Sequence, residues 1–581
     1  MTSDEEKTLK EPLLVSKQKG GFRTLPFIIV NESFEKVASY GLLPNMVLYL
    51  TMEYRLENST AVNILFLWSA ATNLLPIIGA FLADSYVGRY PMIAFGSIAS
   101  LLGMTLLWST AMIPGARPPP CNQFSDSCES PTMSQLLVLY ICFGIMSVGA
   151  GGIRSSSLAF GADQLVNREK RKSSRTLESY FSWYYFSVSV SVIVALTCVV
   201  YIQENLGWKV GFGVPVVLMF FSTLSFFLAS CWYVKLKDKA SLVTGFAHVL
   251  VASYRNRDIQ LSGLVTDEMY YHGKESMLHV PSEKLRCLNK ACVIRNPHED
   301  LTPDGSASNP WILCTVDKVE ELKALIKVIP FWFAGVLRFV NLSQSSFLIL
   351  QASSMDRHIT SNFEIPAGSF FVFYVLSLAA AVALYDRIIL PLSSTIKGRP
   401  VRLSLKCKMG VGIFLSGMSM AVLAVVEYIL CSIAMQEGAS DRTQAVGHMS
   451  AMWLVPHYVL LGLAEAFVAI GENEFFYSEL PKSMSSIASN ISLLGLAVAN
   501  LLASFIVNVV DTSTKTGGAG SWVSSDINKG HYDYYYGILF VLSMVNFLYY
   551  VVCCKAYGPC KGESNHKDLA FERVGSEGDH L

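Results

Sequence analysis

The sequence predicts an all-α membrane protein of twelve transmembrane helices arranged as two six-helix bundles. Three observations predict it. Twelve apolar stretches run near the length that crosses about 30 Å of hydrocarbon as a helix. Only 15% of the 581 residues are charged and 52% are hydrophobic, with a mean hydropathy of +0.40, whereas a soluble domain carries about 25% charged residues. A polar segment then divides the twelve stretches into six and six.

Taken in order, spans 1 to 6 are expected near 25–52, 62–83, 90–112, 134–163, 177–203 and 208–235. Spans 7 to 12 follow near 318–350, 366–390, 406–434, 449–478, 484–511 and 533–555. The resulting organisation is a tail (1–23), a first bundle (24–236), a linker (237–316), a second bundle (317–556) and a tail (557–581). The first tail is polar and Lys-rich and lacks the apolar core of a cleavable signal peptide. Within the linker, GFAHVLVASYRNRD (245–258) has the pattern of an amphipathic helix lying on the cytoplasmic membrane surface. The halves match in organisation but show no convincing sequence repeat.

Basic residues orient the chain. Arg168, Lys170, Arg171, Lys172 and Arg175 follow span 4, and Arg387, Lys397, Arg399, Arg402, Lys406 and Lys408 follow span 8. The connection at 435–448, on the opposite side, has only Arg442. The positive-inside rule therefore puts both termini in the cytoplasm. With 45 basic and 45 acidic residues the net charge is zero, so nothing points to nucleic acid.

Most of the 13 cysteines lie in spans or on the cytoplasmic side. Cys121 and Cys128 lie in an outside loop, where oxidising conditions permit a disulfide. Cys553, Cys554 and Cys560 follow the last span and are open to palmitoylation, although chance placement is the simpler account. Asn58-Ser59-Thr60 is a glycosylation sequon set close to the membrane. The chain carries no phosphate-binding glycine loop, metal-ligand spacing or nucleophile triad. An enzyme is disfavoured, and no cofactor is implied beyond protons as coupling ions.

The chemistry lies in charges inside the spans. Glu32, Glu35 and Lys36 fall on one face of span 1. A charge in hydrocarbon costs roughly 2.5–3.5 kcal/mol on insertion scales, so the three must face protein or a watery cavity. A carboxylate whose partner cation can leave it is suited to a proton relay; the alternative is a static charge cluster holding helices together. Arg154 in span 4, Arg338 in span 7 and Glu465 in span 10 are further intramembrane charges. At 1.5 Å per residue, Glu35, Arg154, Arg338 and Glu465 each lie about 14–20 Å from the inner ends of their spans. That central depth is where alternating-access carriers hold substrate and coupling ions.

These residues carry a resemblance. NESFEK in span 1 resembles the ExxE[R/K] signature of the proton-coupled oligopeptide transporters, a family of the major facilitator superfamily that includes the plant nitrate/peptide transporters. GAFLADSYVGRY (79–90), AGGIRSSSLAFGADQL (150–165), YFSWYYFSVSVS (180–191) and AEAFVAIGENEFFYSELPKSM (464–484) resemble its further motifs, and SMDRHITSNFEIPAGSF (354–370) is typical of plant members. The long linker points to the first plant subfamily.

The resemblance implies a proton-coupled carrier of a small solute in a lipid bilayer. In it, Glu32, Glu35 and Lys36 couple protons, Arg154 partners them, and Glu465 serves substrate binding or gating. Asp84, Gly88 and Arg89 match the turn that sets the cytoplasmic gate, and Tyr40 matches a cavity tyrosine. The departures bear on substrate. Ser189 and Ser191 replace the Asn and Gly of the span 5 pattern, which weakens the case for ordinary peptides. Leu43 stands where bacterial peptide carriers have a second Arg. Leu342 stands where a plant nitrate carrier has its nitrate-binding His, so nitrate through that His is excluded. Arg338, one turn from Leu342, is the candidate replacement cation; its alternative is an ion pair with Glu465. Nitrate ranks first among substrates, followed by small peptides and carboxylated hormones such as gibberellin, with a non-transporting sensor as the other class. The plasma membrane is the expected location. The sequence itself does not choose it over the vacuolar membrane, and Pro12-Leu13-Leu14 resembles a sorting signal only weakly.

Overall fold

The structure is a computed structural model describing residues 20–21, 23–119, 129–165, 170–235, 242–259, 269–272, 280–303, 305–397, 403–436, 449–481, 484–515, 521–524 and 530–558. Cys121, Cys128, Cys560, Pro12, Leu13, Leu14, Arg168, Arg399, Arg402 and Arg442 lie outside them.

The described residues include eleven helices long and apolar enough to cross a membrane, beginning with Asn58–Val87 as span 2 and ending with Tyr532–Tyr557 as span 12. Span 1, Leu25–Leu48 with a π-helical turn at Tyr49–Glu53, falls outside that set because it carries Glu32, Glu35 and Lys36. Its length of 24 residues before the turn still crosses the hydrocarbon. Helices are required here because lipid supplies no partners for backbone N–H and C=O groups. Local sequence sets the ends. Thr132 and Gln135 form a capping box at the start of span 4. Gly88, at φ +92°, makes the turn between spans 2 and 3. Prolines lie inside spans 1, 2, 6 and 7 at Pro44, Pro76, Pro215 and Pro330.

Packing reveals a repeat that the sequence hides. In the first half span 4 packs against spans 2 and 3, span 1 against spans 5 and 6, and span 3 against span 6. In the second half span 10 packs against spans 8 and 9, span 7 against spans 11 and 12, and span 9 against span 12. Adding six to each span number turns the first set into the second, as expected for parallel repeats related by an axis along the membrane normal. The halves meet along two equivalent seams, span 2 on span 11 and span 5 on span 8.

Glycines bring span 4 close to its neighbours. A Cβ on Gly152 would lie 2.7 Å from the Met92 carbonyl oxygen and 2.8 Å from the Gly96 Cα. One on Gly79 would lie 2.5 Å from the Gly151 carbonyl oxygen. Small residues permit such backbone contact, which drives helix association in lipid.

Two expectations change. The linker helix exists, at Leu242–Arg255. However, its Val249 and Ala252 are buried against Leu288, Cys292, Cys314, Val319 and Leu322, so protein rather than lipid covers that part of its apolar face. Cys553 and Cys554 lie within span 12, partly buried against the core of the second half, rather than beyond it.

Gly152→Leu should lower stability by about 1–3 kcal/mol, the usual cost of overpacking. A fall in thermal midpoint and in surface expression, with Gly144→Ala as a control where a Cβ meets nothing within 4 Å, would show it; an unchanged midpoint would refute the close-packing role.

Candidate functional site

Two charge clusters lie within the helical halves. In the first, Glu35 on span 1 is completely buried and faces Arg154 on span 4, with Nη2 3.0 Å from Oε1. Lys36 Nζ lies 3.6 Å from Glu35 and 3.3 Å from Glu32, and the Ser39 hydroxyl donates to Glu35 Oε1 at 2.6 Å. The Tyr40 ring centroid lies 6.0 Å from Lys36 Nζ and 5.9 Å from Arg154 Cζ, the outer limit of a cation–π contact. Two carboxylates thus balance two cations. The glycine contacts that draw span 4 onto spans 2 and 3 also fix where Arg154 stands.

The second cluster uses the equivalent helices with the charges exchanged. Arg338 on span 7, only 3% exposed, is hydrogen-bonded to Glu465 on span 10 and lies 3.7 Å from Glu472 on the same helix. Its guanidinium also lies 4.0 Å from the Phe339 ring. Here one cation faces two carboxylates. Tyr374 on span 8 is buried within electrostatic reach of Glu465, Arg338 and Tyr40.

The remaining expected positions make contacts outside the two clusters. Arg89 Nη1 lies 2.7 Å from Asp163, and its Nε donates to Asp84 at 3.3 Å. Beyond Gly88, Arg89 thus ties the turn between spans 2 and 3 to the inner end of span 4. Gln164 continues that brace through Val234, giving to its carbonyl at 3.0 Å and accepting from its N–H at 2.8 Å. Leu342 is half-buried against the main apolar core, as is Leu43. Ser189 and Ser191 donate back to the Tyr185 and Ser187 carbonyls of their own helix. The Asn58 side chain of the sequon donates to the Tyr532 hydroxyl at 3.4 Å, and Ser59 is buried.

Sequence reading missed Glu472, Tyr374 and Glu427. Glu472 stands two turns beyond Glu465 on the same face, a spacing visible in the span 10 motif. Glu427, buried in span 9, accepts a hydrogen bond from Gln351 at 2.7 Å. Tyr374 had no signal, because nothing in a run of aromatic and apolar residues marks which one reaches the other half.

The outer ends of both seams are joined. Arg357, after span 7, pairs with Glu204 at the end of span 5 and lies 2.6 Å from Glu364. The Ser369 hydroxyl donates to the Leu196 carbonyl at 2.7 Å. On the other seam Asn63 of span 2 pairs with Asn508 and accepts from Ser504 at 2.6 Å, and Lys515 lies 3.4 Å from Glu57.

Two six-helix halves with paired charges buried at mid-membrane define a secondary transporter of the major facilitator type. The chain belongs to the POT family, which it matches over residues 90–523. It is 54% identical to NRT1/PTR FAMILY 1.2 of Arabidopsis thaliana over 549 residues, covering 94% of this chain and 90% of that one. It is 53% identical to NRT1/PTR FAMILY 1.1 of the same plant over 561 residues, covering 96% and 95%. Among solved structures it is similar to an auto-inhibited POT family peptide transporter, with TM-score 0.64 and 20% identity over 92% of this chain and 96% of that one. The chain is thus a multi-pass protein of a proton-coupled transporter family, in the first plant subfamily, and not an enzyme.

Arg338→Met should destabilise the protein by about 3–5 kcal/mol, since it leaves buried carboxylates unpaired. Adding Glu465→Gln and Glu472→Gln should restore most of the thermal midpoint. If the triple variant melts no higher than the single, Arg338 is held by packing and not by charge.

Proposed function

We propose that the chain is a proton-coupled symporter of a small anionic solute, nitrate first, working by alternating access. The carrying observation is the buried Glu35–Arg154 pair between spans 1 and 4. While Glu35 is ionised it occupies Arg154. A proton on Glu35 cancels that attraction and leaves a guanidinium whose planar donors suit nitrate or a carboxylate. Lys36 and Glu32 hold the local balance, and Tyr40 covers both cations. Arg338, Glu465 and Tyr374 line the opposite wall.

Nitrate ranks first because the plant members of the family include nitrate carriers. A second reading has its own support: the Arg338 cluster holds one carboxylate more than it has cations, which suits a substrate ammonium. A zwitterion, with its carboxylate at Arg154 and its ammonium at Glu465 or Glu472, fits that asymmetry, so small peptides remain the alternative and carboxylated hormones follow. A solved POT family transporter was crystallised in complex with 5-aminolevulinic acid. A sensor without transport is the remaining class. The bundle boundaries 24–236 and 317–556, protons as the sole coupling ion without a cofactor, and residence in the plasma membrane rather than the vacuolar membrane belong to this reading.

In oocytes, labelled nitrate uptake should grow in acid and be lost in Glu35→Gln; one proton per nitrate carries no net charge, so an inward current under voltage clamp would require a second proton per cycle. A dipeptide and gibberellin are the comparison substrates. Surface-expressed protein giving neither current nor labelled uptake with any of them would sink the symporter reading in favour of the sensor. Arg357→Gln or Glu204→Gln should loosen the outer seam and make thiols introduced beside it react faster with a membrane-impermeant reagent. The double variant should be no looser than either single one, because each already removes the pair.

A further inference from the structure

The two seams between the halves are equivalent in the repeat but are not filled alike. Along spans 2 and 11, Asn63, Asn508 and Ser504 close the gap with hydrogen bonds. Along spans 5 and 8 a cleft of about 460 Å³ remains, within the range of small-molecule sites. Thr197, Cys198, Tyr201 and Ile202 of span 5 form one wall, and Phe363, Ile365, Pro366, Ser369, Val372 and Phe373 form the other.

The chemistry of the walls narrows the occupant. The Thr197 hydroxyl already donates to Ile193 and that of Ser369 to Leu196, so neither is left to donate to a polar solute. Placing a polar ligand there without partners is unfavourable. The cleft extends to about 12 Å below the outer end of span 5, inside the outer half of the hydrocarbon. It opens on the flank where Val190, Val194 and Tyr201 of span 5 and Leu376 and Leu384 of span 8 stand exposed, as lipid-facing residues do. A packed protein does not leave such a volume empty, and what surrounds it at this depth is hydrocarbon.

We propose that this cleft binds one acyl chain of a bilayer phospholipid, which completes the seam between spans 5 and 8 and holds the halves together at their outer ends. Ile365 connects it to the outer ion pairs, since its carbonyl accepts from Arg357 at 3.3 Å. The chain therefore lies beneath the polar closure that Arg357 makes with Glu204.

The test uses the full chain in nanodiscs of phosphatidylcholine bearing a photoreactive group near the end of one acyl chain, with labelled peptides mapped by mass spectrometry. Labelling should concentrate on 197–202 and 363–373, severalfold above the exposed flank of span 6 at Val217, Phe220 and Phe221. Cys198→Trp should fill the cleft and abolish that excess while leaving the span 6 signal unchanged. Val372→Trp, from the opposite wall, should do the same and guards against misfolding of either variant. Added phosphatidylcholine should raise the thermal midpoint of the wild type in detergent more than that of the filled variants. Labelling that merely follows exposure, an excess that survives both variants, or preferential labelling by a photoreactive sterol would each overturn the acyl-chain assignment. None of these readouts depends on transport, so they stand or fall apart from the symporter reading.

Discussion

A charge inside hydrocarbon must find its partner within the protein, and the Glu35–Arg154 pair is where that constraint organises this fold. Glu35 has no exposure at all, and water cannot compensate it there. Its cation comes from a different helix, so spans 1 and 4 must meet at one depth and one rotation. The glycines at 79, 96, 151 and 152 make that possible by letting span 4 press against spans 2 and 3 backbone to backbone. Arg89 and Gln164 then pin the inner end of span 4. A structural brace and a titratable centre are thus parts of one arrangement, and the motifs around them serve the placement of a single ion pair.

The second half repeats the geometry and reverses the charges. Span 1 supplies a carboxylate and span 4 an arginine; their equivalents, spans 7 and 10, supply an arginine and a carboxylate. The exchange has a physical consequence. The charge clusters of the two halves are not copies: one guanidinium is tied to one acid and the other to two. Tyr374 on span 8 is buried, in electrostatic reach of Arg338 and Glu465 in its own half and of Tyr40 in the other.

Much of this was legible in the sequence, for reasons that also explain the remainder. The spans were readable because bilayer thickness imposes one length on every crossing helix, and span 1 was readable despite its charges because their spacing keeps them on one face. Arg154, Arg338 and Glu465 stood out because charge is rare in such surroundings. Glu472 could have been found by the same rule, two turns from Glu465. The internal repeat could not, since it resides in which helices touch and not in which residues repeat. The linker helix was visible as an amphipathic pattern, but a pattern does not say what covers the apolar face. Here Leu288, Cys292 and the start of span 7 do so. Tyr374 was silent because its importance comes from the partner half.

The same physics limits how the charge pairs can participate in a cycle. Moving the halves apart at mid-membrane without a compensating ion would strand Arg154 or Arg338 in a weakly polarisable interior. Protonating Glu35 alone does not free Arg154 at no cost, because the guanidinium then needs another anion. A proton and an anionic group arriving together satisfy both demands at once: the acid is neutralised, the guanidinium is paired again, and the total charge of the cluster is unchanged. A proton without the anion, or the anion without the proton, leaves one buried charge unmatched. In the proposed cycle, coupling between the two ligands follows from the cost of an unpaired charge at this depth, and it needs no contact between the proton on Glu35 and the solute beyond the Arg154 they would share.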